Sequence, residues 1–171
     1  VRSPLSVLVL GDTHLGEDLA RLPSEVWELA DRADVVLHTG DVTSPALLDA
    51  LAERSELHAV LGNNDAGLER RLPEEVRLDL GGVSLAMLHD SGPTAGRRRR
   101  LARRFPTAQL IVFGHSHQPL IDADGPGPVL LNPGSPTQRR REPVHTVAWV
   151  DIAAGEVRGA ELVEVGPLAT R

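Results

Sequence analysis

Leu5-Ser6-Val7-Leu8-Val9-Leu10-Gly11-Asp12-Thr13-His14 joins an apolar run to a glycine and two side chains that can bind metal. Six residues rich in Val and Leu and closed by Gly read as a buried strand, which puts Asp12 and His14 in the turn at its carboxyl end. The same arrangement recurs along the chain. DVVLHT leads into Gly40-Asp41, LHAVL into Gly62-Asn63-Asn64-Asp65, VSLAML into His89-Asp90, and LIVF into Gly114-His115-Ser116-His117. If these strands belong to one sheet core, their carboxyl ends converge on one edge, the place where open α/β sheets bind ligands.

Outward from these runs, the first half of the chain alternates strand and helix. A helix is expected after Pro23, with Ser24 as its cap and Val26, Trp27, Leu29 and Ala30 on one face. Another starts near Ser44, with Pro45 in its first turn and Leu47, Leu48 and Leu51 facing inward. With strands at Val35–His38 and His58–Leu61, this is the rhythm of an α/β protein. The pattern then changes. Val76–Leu80 and Val83–Leu88 flank Gly81-Gly82 as a hairpin, where a second sheet is expected to begin. A helix over 95–105, a strand at Leu110–Phe113 and strands at Val129–Leu131, Val144–Asp151 and Val157–Val165 follow, antiparallel in character, with 122–128 as a loop or hairpin tip. Two packed sheets with helices outside, in a single domain over residues 1–171, account for these elements.

Composition narrows the chemistry. There is no cysteine, which excludes disulfides, thiolate ligands and a Cys nucleophile. All 18 basic residues are Arg, so no Lys is present to form a Schiff base. The net charge of −6 argues against a general nucleic-acid binder. Leu5–Leu10 is too short for a membrane span or a signal-peptide core, so a soluble cytoplasmic protein without a membrane partner is expected.

What remains at the strand ends is oxygen and imidazole. Asp12 and His14 sit two apart, as do His115 and His117. The Asp41 carboxylate can bridge two cations with its two oxygens, and the Asn63 amide oxygen is a neutral hard ligand. With His89 these make seven candidates whose donors suit Mn, Fe, Zn, Co or Mg and not Cu(I) or an iron–sulfur cluster. His38, inside a strand, reads as a buried hydrogen-bonded histidine or one that orients a ligand. His58 and His145 belong to no motif, and Asp90 is either a turn carboxylate or a partner for a metal water. The run Arg97–Arg104 reads as a solvated helix face paired with acids, a phosphate-rich partner being the sharper alternative.

In order and spacing, GDTH, GD, GNND, HD and GHSH resemble the signature of the calcineurin-like metallophosphoesterases. Asn132-Pro133-Gly134-Ser135 is similar to a later loop of their short branch related to YfcE and Vps29. The resemblance implies a four-layer α/β/β/α sandwich of two mixed sheets flanked by helices. It also implies two divalent ions, Mn first, with Ni, Co, Fe, Zn or Mg as alternatives. One ion would be held by Asp12, His14, Asp41 and His117, the other by Asp41, Asn63, His89 and His115. A small phosphoester substrate is expected, and short members of the family often form homo-oligomers.

Two cations roughly 3.5–4 Å apart can deprotonate a shared water and clamp phosphate oxygens for in-line attack, so no side-chain nucleophile is required. Asp41 and Asn64 are therefore the expected catalytic positions. Many relatives place a His where this chain has Asn64. An amide can hydrogen-bond a phosphate oxygen but cannot act as a general acid, so diesters or activated monoesters are the expected substrates. Asp65 is expected to support its loop. One of Arg139, Arg140 and Arg141 is expected to reach the substrate phosphate with a bidentate fork, Arg139 being the candidate chosen. The main expectation is thus a dimetal phosphodiesterase. The alternatives are a Vps29-like scaffold that binds partners, or a phosphomonoesterase or nucleotide hydrolase. The complete ligand set favours the enzyme.

Overall fold

A computed structural model describes residues 4–166. Strands β1 (Leu5–Leu10), β2 (Val35–His38) and β3 (Glu56–Ala59) lie side by side in parallel. The chain forms the second sheet from β4 (Glu75–Leu80), β5 (Val83–Leu88), β6 (Leu110–Val112), β7 (Leu120–Asp122) and β8 (Val129–Asn132), in the order β4-β5-β6-β8-β7. It then returns to the first sheet. There β9 (His145–Ala153) pairs antiparallel with β1, and β10 (Glu156–Val165) pairs with β9, completing the order β10-β9-β1-β2-β3.

Alternation along each strand explains the layers. In β1, Val7 and Val9 enter the core between the sheets with Leu85, Met87, Leu110 and Val112, while Leu8 and Leu10 face α1 (Ser24–Arg32) and α2 (Pro45–Ala52). In β5 and β6, Ala86, Leu88 and Ile111 face the other way, onto Leu101 and Phe105 of α3 (Arg97–Arg104) and its end. A strand buried on both faces has little room for polar residues unless they are hydrogen-bonded, as His38 is, which is why these segments read as nearly unbroken apolar runs. The result is the expected α/β/β/α sandwich: two mixed five-stranded sheets flanked by three helices. Among the described residues no helix is long and apolar enough to cross a membrane.

Several sequence expectations are corrected. The second sheet begins at the Val76–Leu88 hairpin as expected, so β1, β2 and β3 belong to one sheet and β5 and β6 to the other, and the site-bearing ends meet across two sheets instead of along one edge. β3 covers Glu56–Ala59, so Val60 and Leu61 already belong to the loop that follows, where the Leu61 N–H donates to the Pro73 carbonyl (2.7 Å). Ser24 is the first residue of α1 and makes no capping bond, because Pro23 occupies the cap position. Ser44 does cap α2, its Oγ accepting from Leu47 N–H at 3.1 Å with Pro45 behind it. Gly81 and Gly82, at φ 58° and 90°, make the tight turn expected between β4 and β5.

The arginine run is mostly a set of staples. Arg97 lies over the Phe113 ring at 5.1 Å, and Arg98 pairs with Asp122 at 2.6 Å. Arg100 donates to the carbonyls of Ser91 (2.8 Å) and Pro93 (2.7 Å), and Arg104 pairs with Glu75 (2.8 Å). Arg100 thereby holds the loop that follows His89.

Candidate metal centre

The seven candidate ligands form one continuous cluster across the carboxyl-terminal edges of the two sheets. His117 Nε2 lies 3.7 Å from Asp12 Oδ1, and His14 Nε2 lies 3.3 Å from Asp41 Oδ2. The other Asp41 oxygen is 3.5 Å from His89 Nε2. Asn63 Oδ1 is 2.9 Å from His89 Nε2 and 2.9 Å from His115 Nδ1. Ligand atoms of Asp12, His14 and His117 lie within 4.8 Å of one another, as do those of Asp12, Asp41 and His89. Asp12 is common to both of these groups, while Asp41 turns one oxygen toward His14 and the other toward His89.

Backbone conformation aims these side chains. Asp12, His14, Asp41, His115 and His117 all have left-handed φ, between 43° and 69°. Such a conformation costs a non-glycine residue about 1–3 kcal/mol and persists where surrounding structure enforces it. The enforcement is visible in the glycines of the ligand loops. A Cβ on Gly62 would run into the Asp41 backbone nitrogen and Oδ1, and one on Gly114 would meet Thr39 Oγ1 and come within 2.9 Å of Asp12 Oδ2. The loops touch at backbone distance, and only glycine allows that.

Hydrogen bonds fix which imidazole nitrogen faces the cluster. His89 Nδ1–H donates to the Thr39 carbonyl at 2.8 Å, and His117 Nδ1–H donates to the Gln138 carbonyl. In both rings Nε2 is left with its lone pair toward the cluster, as a metal ligand requires. His38 is fully buried and serves as a brace. Its Nδ1 accepts from Gly40 N–H (3.2 Å) and its Nε2 meets Thr13 Oγ1 (3.1 Å), so it joins the GD loop to the DTH loop. Asp65 supports its loop as expected, its carboxylate accepting from Thr43 N–H (2.8 Å) and Gly62 N–H (2.7 Å). The loop after β8 is bound just as closely: Ser135 Oγ donates to the Asp12 carbonyl at 2.8 Å, and Thr137 Oγ1 donates to the Thr13 carbonyl. Ser135 stands out in sequence only as the end of the Asn132–Ser135 motif, and Thr39, Thr137 and Gln138 carry no sequence signal of a role here. All four act through or onto main-chain carbonyls, which leave no residue-type signature.

The electrostatics suit a cation. Burial, reinforced by the nearby Asp41 charge, pushes the Asp12 carboxyl up to about 8. Burial holds His14 below its ordinary value and lowers His117 to about 4 and His38 to about 3, so these rings are neutral at pH 7. For Asp41 burial acts upward, but hydrogen bonds from Asn64 N–H (2.9 Å) and Asn64 Nδ2 (2.7 Å) outweigh it and hold the carboxylate below its usual range. Asp12 Oδ2, His14 Nε2 and His117 Nε2 are buried without a hydrogen-bond partner among the described residues. Leaving such atoms unsatisfied costs about 1–3 kcal/mol each. A divalent ion fits all three, because oxygen and neutral imidazole are the donors it accepts.

Of the remaining candidates, Asn64 donates one side-chain N–H to Asp41, and the Arg139 guanidinium donates to the Glu142 carbonyl at 2.6 Å. Besides burial and the Asp41 charge, Asp12, His14 and His117 all feel the positive charge of Arg140 and not that of Arg139. Asp90 Oδ2 lies 3.9 Å from His115 Nε2 at the exposed rim. His58 pairs with Glu56 (2.7 Å), away from the cluster. A groove of about 720 Å³ between α3 and β7 adjoins the centre only through the Ser116–Gln118 loop, and a smaller recess of about 280 Å³ lies between that loop and Arg139–Glu142.

Comparisons with known proteins agree with this geometry. A probable metallophosphoesterase of Methanocaldococcus jannaschii is 34% identical over 135 residues, which span 77% of this chain and 68% of that protein. A second, from Methanothermobacter thermautotrophicus, is 30% identical over 92% of this chain and 91% of its own length. Wild-type Vps29 of Entamoeba histolytica, solved with Zn²⁺, superposes with a TM-score of 0.72 at 25% identity, covering 94% of this chain and 99% of that one. The calcineurin-like phosphoesterase superfamily domain matches residues 5–155, and the chain belongs to that superfamily.

Proposed function

We propose that this protein is a dimetal-dependent phosphodiesterase in which Asp12, His14, Asp41 and His117 hold one ion and Asp41, Asn63, His89 and His115 the other. The observation that carries the reading is the buried trio of unpartnered atoms on Asp12, His14 and His117, whose oxygen and neutral imidazole donors one shared cation satisfies together. When bound, two such ions supply a water of lowered pKa and neutralise charge developing on the phosphate. Manganese is the first choice, with Ni, Co, Fe, Zn or Mg as alternatives.

The chain's own part is positioning. His89 and His117 present fixed Nε2 lone pairs, and Asn64 holds both oxygens of an ionised Asp41. Asn64 can also turn a donor toward a phosphate oxygen, but it has no proton to give a leaving alkoxide. Turnover should therefore depend steeply on the leaving group, with aryl diesters cleaved far faster than alkyl ones.

The test is hydrolysis of a bis-aryl phosphate by metal-stripped protein with Mn, Ni, Co, Zn or Mg restored, beside Asp41→Asn. A metal-dependent rate that the variant lacks is the expected result. Equal rates in the two proteins would refute the enzyme reading and leave a non-catalytic scaffold, which the likeness to Vps29 favours. A panel of monoesters and nucleotides separates the diesterase from the other hydrolase readings.

A further inference from the structure

We propose that Arg140 is the anion-recognising residue of this centre, its guanidinium fork taking two oxygens of the substrate phosphate beside the bound ions. The proposal rests on the metallophosphoesterase reading and assigns it a specificity residue.

The segment carrying Arg140 cannot drift relative to the cluster. It is tied to the Asp12 and Thr13 carbonyls through Ser135 and Thr137, and its Gln138 carbonyl receives the His117 ring proton. Three arginines follow in succession, and they are not equivalent. Arg139 is committed to the Glu142 carbonyl, and its charge falls on His145, outside the cluster. Arg140 has a left-handed φ of 54°, a strained conformation for a residue with a Cβ. Its charge falls on Asp12, His14 and His117 together, and Arg141 enters none of these interactions. Beside it, the recess of about 280 Å³ opens against Ser116, the residue between His115 and His117.

Among the described residues the arginine ion pairs fall at Arg54, Arg71, Arg77, Arg98, Arg104 and Arg158. Arg140 is not among them. A guanidinium outside these ion pairs, lining the recess beside Ser116 and carried two residues after the Gln138 carbonyl that holds His117, places positive charge near a cluster that collects divalent cations and opposes their loading. The arrangement becomes favourable once an anion lies between them, and a planar fork matches phosphate geometry. Metal and phosphate binding are then linked through a single side chain.

That linkage has two opposite signatures in Arg140→Gln. Calorimetric titration of Mn²⁺ into the metal-free variant should show affinity equal to or a few-fold tighter than the parent's. Inorganic phosphate titrated into the Mn-loaded variant should bind about tenfold more weakly or worse. Arg140→Lys should recover part of the phosphate affinity, and Arg141→Gln should resemble the parent. In turnover of a bis-aryl phosphate, Arg140→Gln should act mainly on KM. The proposal is overturned if Arg140→Gln binds phosphate as well as the parent does, or if Arg141→Gln loses as much. Because these readouts need no turnover, a protein that binds phosphate through Arg140 yet hydrolyses nothing overturns only the enzyme reading. A hydrolytic protein indifferent to Arg140 overturns only this one. A parent that binds no Mn²⁺ overturns both.

Discussion

At Asp12 the metal-free protein buries a carboxyl group with one oxygen unpartnered, and the consequence is a pH dependence of opposite sign to that of an ordinary salt-bridged acid. The folded state keeps the Asp12 proton up to about 8, whereas the unfolded chain releases it near 3.8. Stability therefore falls as pH rises between those values, by about 1.4 kcal/mol per unit from this group. His117 and His38, lowered to about 4 and about 3, act the other way. Their unfolded counterparts gain protons below about 6.5, so stability is lost as pH drops beneath that point. The two effects leave the metal-free protein most stable near pH 6.5. In EDTA-treated protein the urea midpoint should fall between pH 6.5 and 8, and Asp12→Asn should remove that fall. A parent midpoint that holds level or climbs over this window would show that Asp12 is ionised without metal. Gly62 makes a second residue-level case. In Gly62→Ala the new methyl displaces Asp41, so Mn²⁺ affinity should drop about tenfold or more by calorimetry while the far-UV spectrum stays unchanged.

At the scale of elements, the site consists of loops docked on loops, and the segment after β8 is the clamp. Ser135 Oγ donates to the Asp12 carbonyl (2.8 Å) and accepts from Gln138 N–H (2.8 Å), so one hydroxyl joins the clamp to the first ligand loop. Ser135→Ala leaves those groups buried without partners, at a cost of about 1–3 kcal/mol. It should also lower Mn²⁺ affinity about 10–100-fold, the scale on which supporting contacts tune metal sites. Ser44→Ala removes the cap of α2 for about 1 kcal/mol and should leave Mn²⁺ affinity alone, which separates loop alignment from general destabilisation. Denaturant midpoints and calorimetry on the pair decide the point.

The same elements show what could be read in advance. The site-bearing strands and their seven polar ends were legible because a strand buried on both faces is almost wholly apolar, so a cluster of polar residues marks its exit. The start of a second sheet at the Gly81-Gly82 hairpin was legible as well, but the order of strands within each sheet was not, because partner choice depends on contacts distant in the chain. Nor was β7, three half-buried residues long, or the docking of Ser135 and Gln138, which acts through main-chain atoms. Arg139 and Arg140 look alike in sequence, and what separates them is the Arg139 hydrogen bond to the Glu142 carbonyl and the left-handed turn at Arg140.

Across the whole molecule, the candidate ligands divide between the sheets: Asp12, His14, Asp41 and Asn63 follow strands of the first, and His89, His115 and His117 follow strands of the second. Between these edges the sheets are joined by apolar packing around Leu37, Leu85, Met87 and Leu110, which is non-directional. Ions held by both ligand groups would staple the sheets at their open end. At a hundredfold excess over Kd each such ion adds about 2.7 kcal/mol of stability. Hydrogen exchange should report the staple directly. Mn²⁺ should slow exchange in the loops after β1, β2, β5 and β6 together, and leave the distant β9–β10 turn at Ala154-Gly155 unchanged. His117→Asn makes the test sharp, because Asn tolerates the left-handed φ of 59° there and so removes a second-sheet ligand without new backbone strain. If one ion is shared by both sheets, this variant must also lose Mn²⁺-induced protection at residues 12–14 on the first sheet, since binding energies couple reciprocally. Protection of residues 12–14 that survives His117→Asn would mean that each sheet binds its metal alone.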